Sequence, residues 1–104
     1  MTDQRGGPLS VDVDTSGAFV VHGDIDIAGG PTLESYVLRS EDVSPIVLDL
    51  RDVEFVDSSG LRTLLNATRQ AQQHDTVVRL RNVGAAVRRM LEITGTAGQF
   101  EIEG

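Results

Sequence analysis

The sequence predicts one α/β domain on a mixed sheet of about five strands, in the order β-β-α-β-α-β-α-β, with helices packed on it. Three observations predict it. Short apolar runs bounded by turn residues recur along the 104 residues. The segments between the later runs carry a 3.6-residue apolar period. The run Ile46-Val47-Leu48-Asp49-Leu50 is apolar almost throughout, as a central strand covered on both faces requires. Right-handed crossovers then place the helices against the sheet.

Residues 1–8 (MTDQRGGP) hold polar residues, glycines and a proline without apolar period, so they read as a flexible leader before a domain at 9–104. Leu9 to Asp14 alternates apolar and polar residues, and Thr15-Ser16-Gly17 supplies a turn. Ala18 to His22 is rich in strand formers, so the first two strands are expected to form an antiparallel hairpin. Gly23-Asp24-Ile25-Asp26-Ile27 and Ala28-Gly29-Gly30 read as loop leading to Pro31, the first residue of a helix over 31–40 that puts Leu33, Tyr36 and Val37 on one face. After the central strand, Arg51 to Val56 leaves the sheet, with Val53, Phe55 and Val56 as expected anchors.

The second helix opens at Asp57-Ser58-Ser59-Gly60. Leu61, Leu64, Leu65, Thr68 and Ala71 keep the helical period, with Arg62, Asn66, Arg69, Gln70 and Gln73 opposite. His74-Asp75 closes it and Thr76 to Leu80 forms a fourth strand. Asn82 is the expected cap of a third helix over 83–94, whose apolar stripe is Val83, Val87, Met90 and Leu91 and whose end is Gly95. Phe100 and Ile102 alternate with Glu101 and Glu103 as a short fifth strand.

Composition narrows the function. With 39% hydrophobic and 24% charged residues the chain matches ordinary globular proteins. No apolar stretch approaches the roughly 20 residues of a transmembrane helix, and no apolar signal region follows the start, so a cytoplasmic location is expected. The absence of cysteine excludes disulfides, thiolate catalysis and thiolate metal sites. Sixteen acidic residues against nine basic ones, all arginine, give a net charge of -7. That charge opposes direct binding of nucleic acid or anionic membrane and favours a basic partner surface.

Catalytic patterns are missing. There is no GxSxG elbow, and His22 and His74 sit at element ends rather than beside a nucleophile. Asp24, Asp26 and Asp57 lack the histidine pair or calcium-loop spacing of a metal site. No GxxxxGKS loop cradles a nucleotide, and a phospho-aspartate receiver would need a lysine. The expected protein is not an enzyme and carries no cofactor.

The informative motif is Asp57-Ser58-Ser59-Gly60-Leu61, set between a buried strand and an amphipathic helix. Asp57 or Ser58 can cap the free amides of the helix, and a simple cap is the plainest account. One capping oxygen suffices, however, and three polar side chains precede the glycine, so at least one hydroxyl is expected to face solvent from a rigid corner. Gly60 would leave the approach to it open.

The stretch from Ile46 to Leu61, an apolar strand, an acidic-apolar bridge and DSSGL, resembles the STAS domains of bacterial anti-sigma-factor antagonists. The resemblance extends over nearly the whole chain. Gly23-Asp24-Ile25-Asp26 is similar to the family's acidic turn after its second strand, and Val87 to Gly95 to its third helix. It implies that Ser59 is the phosphorylated residue, modified by a partner that is both anti-sigma factor and serine kinase and reset by a serine phosphatase. It further implies a partner face comprising Asp24, Asp57, Ser58, Ser59, Gly60 and Arg62. The unphosphorylated chain would bind the anti-sigma factor and release the sigma factor. Two departures stand out: family members commonly carry a last helix after the fifth strand, and the loop before helix one is glycine-rich where polar residues are usual. The alternative is a STAS scaffold subunit of a signalling or lipid-transport assembly without a phospho-switch. A monomer is the default expectation for the oligomeric state.

Overall fold

The computed structural model describes residues 9–39 and 44–103, so the expected leader and the last residue of the predicted first helix lie outside the described residues. At the first turn Asp14 Oδ1 accepts hydrogen bonds from the amides of Ser16 (2.8 Å) and Ala18 (3.0 Å), and Gly17 takes a φ of 90°. A side chain that binds its own backbone in this way fixes the turn and hence the register. Strands β1 (Ser10–Val13) and β2 (Phe19–His22) accordingly pair antiparallel, with Val11 opposite Val21.

From β2 onward every pairing is parallel: β2 with β3 (Ile46–Asp52), β3 with β4 (Val78–Arg81), and β4 with β5 (Glu101–Ile102). The sheet order is β1-β2-β3-β4-β5, the mixed five-stranded sheet expected. Helix α1 (Gly30–Arg39) crosses from β2 to β3, α2 (Ser58–Gln73) from β3 to β4, and α3 (Ala85–Ile93) from β4 toward β5. Helix α1 packs beside α2, and the Tyr36 ring meets Phe19 of β2 edge-on at 6.0 Å. Leu33, Leu48, Leu50, Leu64, Leu80, Leu91 and Val21 form the fully covered centre of the core.

Two local expectations are corrected. Asn82 does not cap α3; the cap residue is Gly84, whose bond to the helix comes from its carbonyl alone. Asn82 instead adopts φ 57°, a left-handed conformation that asparagine tolerates better than most residues, and its Nδ2 donates to both carboxylate oxygens of Asp49 at 3.1 Å. Phe55 is not an anchor. Val53 and Val56 are buried, but Phe55 lies between them with 56% of its surface exposed.

Asp49 explains the position of Asn82. It is a wholly covered carboxylate inside β3, and a buried charge must be paired and hydrogen-bonded. The Arg51 guanidinium donates to its Oδ2, with Nε at 3.1 Å, and the Arg51 amide donates to its Oδ1 at 3.0 Å. These bonds, the guanidinium's first, hold its pKa down to about 2 against the opposing effect of burial. A carboxylate with a depressed native pKa stabilises the fold above its ordinary value near 4, and that stabilisation is lost as pH falls toward 2. In urea denaturation from pH 6 to 2, Asp49 should contribute about 2 kcal/mol to the acid loss of stability. The Asp49→Asn variant should be less stable at pH 7 and should lack that portion of the pH dependence. An unchanged slope in the variant would refute the assignment.

Candidate functional site

The site is built where β3 hands over to α2. Asp57 is the cap residue: its backbone is extended, and its Oδ1 accepts a hydrogen bond from the Gly60 amide at 2.8 Å. Ser58, Ser59 and Gly60 are the first three helical residues. The Asp57 carboxylate satisfies the third amide of the helix and leaves those of Ser58 and Ser59, which no helix carbonyl can reach. Ser58 is exposed and Ser59 half-buried, and among the described residues neither hydroxyl has a hydrogen-bond partner. The Ser59 carbonyl accepts from Thr63 Oγ1 at 3.2 Å, which ties the first turn to the second.

The loop after β2 is bound to this corner through its backbone. The Ile25 amide donates to the Phe55 carbonyl (3.1 Å), the Asp57 amide donates to the Ile25 carbonyl (3.2 Å), and Ile25 pairs with Val56 as a parallel bridge. Asp24, one residue before that bridge, is thereby brought to the same edge as Asp57 and remains exposed. Asp26 has another task. Its Oδ1 accepts from the amides of Ala28 (3.1 Å) and Gly29 (2.9 Å), folding the loop back toward α1. The glycine-rich stretch is a matter of space. A Cβ on Gly29 would come within 2.7 Å of Leu9 Cβ, and one on Gly30 would press into Thr63 Oγ1 of α2.

Gly60 also departs from expectation. Rather than opening an approach to the serine, it is buried, and a Cβ there would collide with the Ile25 carbonyl and reach 3.0 Å from Ile25 Cγ2. The missing side chain lets the loop backbone lie against the first turn of α2. Arg62 is exposed one turn beyond Ser59 on the same helix. The structure thus brings Asp24, Asp57, Ser58 and Ser59 to one corner, with Gly60 beneath it and Arg62 at its rim. Sequence reading missed the apolar surface beside it: Phe55 and Ile27 are 56% and 76% exposed. The only signal was two large apolar residues outside any regular element.

A profile of the STAS domain family matches residues 10–103. The chain belongs to the STAS domain family. Its relatives include an anti-sigma-B factor antagonist of Staphylococcus aureus (strain NCTC 8325 / PS 47), 27% identical over 92 residues, covering 84% of this chain and 85% of the relative. The anti-sigma-B factor antagonist of Bacillus subtilis (strain 168) is 28% identical over 83 residues, covering 79% and 76%. Among solved structures, an anti-sigma-factor antagonist (STAS) domain protein from Planctomyces limnophilus superposes with a TM-score of 0.72 at 15% identity, over 91% of this chain and 88% of that one. The anti-sigma factor antagonist SpoIIAA in its unphosphorylated form gives 0.69 at 17% identity, covering 92% and 88%. The Bacillus cell fate determinant SpoIIAA in the phosphorylated form gives 0.64 at 16% identity, covering 92% and 91%. These structures share the STAS fold with this chain.

The Gly60 contact can be tested on its own. Glycine to alanine inside a helix ordinarily gains up to about 1 kcal/mol. In this STAS domain the added methyl group meets a backbone carbonyl that is itself hydrogen-bonded, so Gly60→Ala should instead destabilise by about 2 kcal/mol or more. Thermal or urea unfolding reads the sign directly, and a stabilised variant would show that the loop is not held against α2.

Proposed function

We propose that the chain is an anti-sigma-factor antagonist controlled by phosphorylation of Ser59. The observation that carries this reading is a serine hydroxyl without a partner in the first turn of a helix whose start is locked by a cap, a loop bridge and a buried glycine. Such a corner presents the hydroxyl from a backbone fixed by hydrogen bonds. Two further facts support the reading: relatives of similar length are named anti-sigma-B factor antagonists, and a SpoIIAA neighbour of the same fold has been solved in both unphosphorylated and phosphorylated forms.

In this reading the unphosphorylated chain binds an anti-sigma factor, and the sigma factor is released. The anti-sigma factor is also the kinase: it transfers the γ-phosphoryl group of ATP to Ser59 Oγ, the hydroxyl proton is lost, and ADP leaves. A phosphatase restores the serine by hydrolysis. The chain supplies the acceptor and the surface, and nucleotide chemistry belongs to the partner. Phosphate adds roughly 1.5 to 2 negative charges and three acceptor oxygens. Asp57 and Asp24 already make the corner acidic, and the whole chain carries -7. A dianion packed into an interface that fits a neutral hydroxyl must be desolvated, and Asp57 and Asp24 beside it oppose it as like charges. The protein acts in the cytoplasm in this scheme, and no helix among the described residues is long and apolar enough to cross a membrane.

Ser58 is the more exposed hydroxyl of the pair, so the test must separate the two. Intact mass after incubation with ATP and each purified anti-sigma factor/serine kinase of the same genome should show one added phosphate in wild type and in Ser58→Ala, and none in Ser59→Ala. A phosphate that persists in Ser59→Ala and disappears in Ser58→Ala would move the switch by one residue. An unmodified wild type with an active kinase would favour the scaffold alternative.

A further inference from the structure

A second feature lies next to the serine corner and plays no part in phosphorylation. Between the β3–α2 connection and α3 runs a groove of about 220 Å³ lined by Glu54, Phe55, Val56, Ala86, Val87 and Met90. Val56 and Val87 form its buried floor. Phe55 stands as one wall, more than half exposed, and Ala86 and Met90 form the other. Helical spacing extends the second wall: Ala86, Met90 and Ile93 fall at i, i+4 and i+7, and Ile93 is 73% exposed.

The groove is smaller than the roughly 300–1,000 Å³ of small-molecule sites and suits one or two apolar side chains. We propose that it is a second docking point for the anti-sigma factor, which inserts one or two apolar side chains flanked by basic ones between Phe55 and Met90. This inference rests on the reading above. Two observations name the occupant. First, the groove is continuous with the serine corner, since Phe55 and Val56 are bridged to Ile25 immediately before the Asp57 cap. Second, the side of the groove nearest the serine corner is acidic, since exposed Glu54 lines it there, while exposed Arg89 stands beside Met90 on the α3 side. Aromatic and methionine side chains in a partly covered apolar recess are the residue types that anchor interfaces. The groove therefore supplies affinity that does not depend on the state of Ser59, and the serine corner decides whether that affinity is realised.

The test is calorimetric titration of the unphosphorylated chain with each purified anti-sigma factor of the same genome. Phe55→Ser and Ala86→Gln alter exposed positions and should keep the wild-type melting curve. Each should weaken binding about tenfold or more, whereas Val13→Ser, an exposed apolar position on β1, should stay within about twofold. If Phe55→Ser and Ala86→Gln bind like wild type while Ser59→Asp abolishes binding, the groove proposal is overturned and the switch reading stands. If wild type binds none of these factors, the switch reading itself fails and the groove proposal with it. Self-association of the chain that Phe55→Ser removes without weakening the complex would assign the groove to a second copy and overturn the proposal.

Discussion

The backbone contact between Ile25 and the first turn of α2 is the constraint on which the site depends. It combines two hydrogen bonds, one parallel bridge and a position where only glycine fits. Remove any atom of clearance and the loop carrying Asp24 and Asp26 must lift away from Asp57. The contact makes a composite surface from two segments well separated in sequence, 24–27 and 55–62. It also explains why the corner is rigid without being buried. Rigidity comes from backbone pairing beneath the surface, so the side chains above it need no mutual contacts and stay available to a partner.

A second hub, Asp49, stabilises the strand that leads to this corner. Its carboxylate sits in the central strand where the sequence is otherwise apolar, and it draws in Arg51 from its own strand and Asn82 from beyond β4. Removing one partner of such a group leaves a buried charge uncompensated, which is far more costly than never having had the charge. The left-handed Asn82 is a consequence: the turn after β4 takes the conformation that delivers its amide to Asp49. The start of α3, and with it the Ala86 and Met90 wall of the groove, follows from that turn.

Much of this was legible from residue pattern. The hairpin, the apolar central strand and the amphipathic α2 are local signals, and each element lies where the period of its apolar residues places it. The motif Asp57-Ser58-Ser59-Gly60 carried the cap and an exposed serine because capping chemistry is also local. What could not be read was any role set by distant packing. Gly60 looked like an open door and is a close contact with Ile25. Asn82 looked like a cap and serves a buried carboxylate 33 residues earlier. Phe55 looked like an anchor because it is large and apolar, and the Ile25–Val56 bridge leaves it outside the core. Similarly, Gly29 and Gly30 read as loop ahead of the first helix, whereas Gly30 opens α1 and the pair allows close approach to Leu9 and Thr63.

The position of Ser59 determines how a phosphate could act there. In the first turn of α2, a phosphate lies near the free amides of the helix and at the positive end of its dipole, an interaction that favours the modified chain by about 0.3 to 1 kcal/mol. If Ser59 is phosphorylated as proposed, the helix start accommodates the anion locally, and the Ile25 contact beneath it is made by backbone atoms that the modification does not touch. Desolvating a charged group without compensation costs several kcal/mol, well above that local gain. In the proposed switch the balance falls on the interface: the modified chain would keep its shape and lose its fit to the partner. A switch of this kind requires that the unmodified surface bind well through contacts that do not involve the hydroxyl, because a bare serine contributes little by itself. An apolar recess adjoining the corner meets that requirement, which is why Phe55 outside the core and Ser59 without a partner belong to one arrangement.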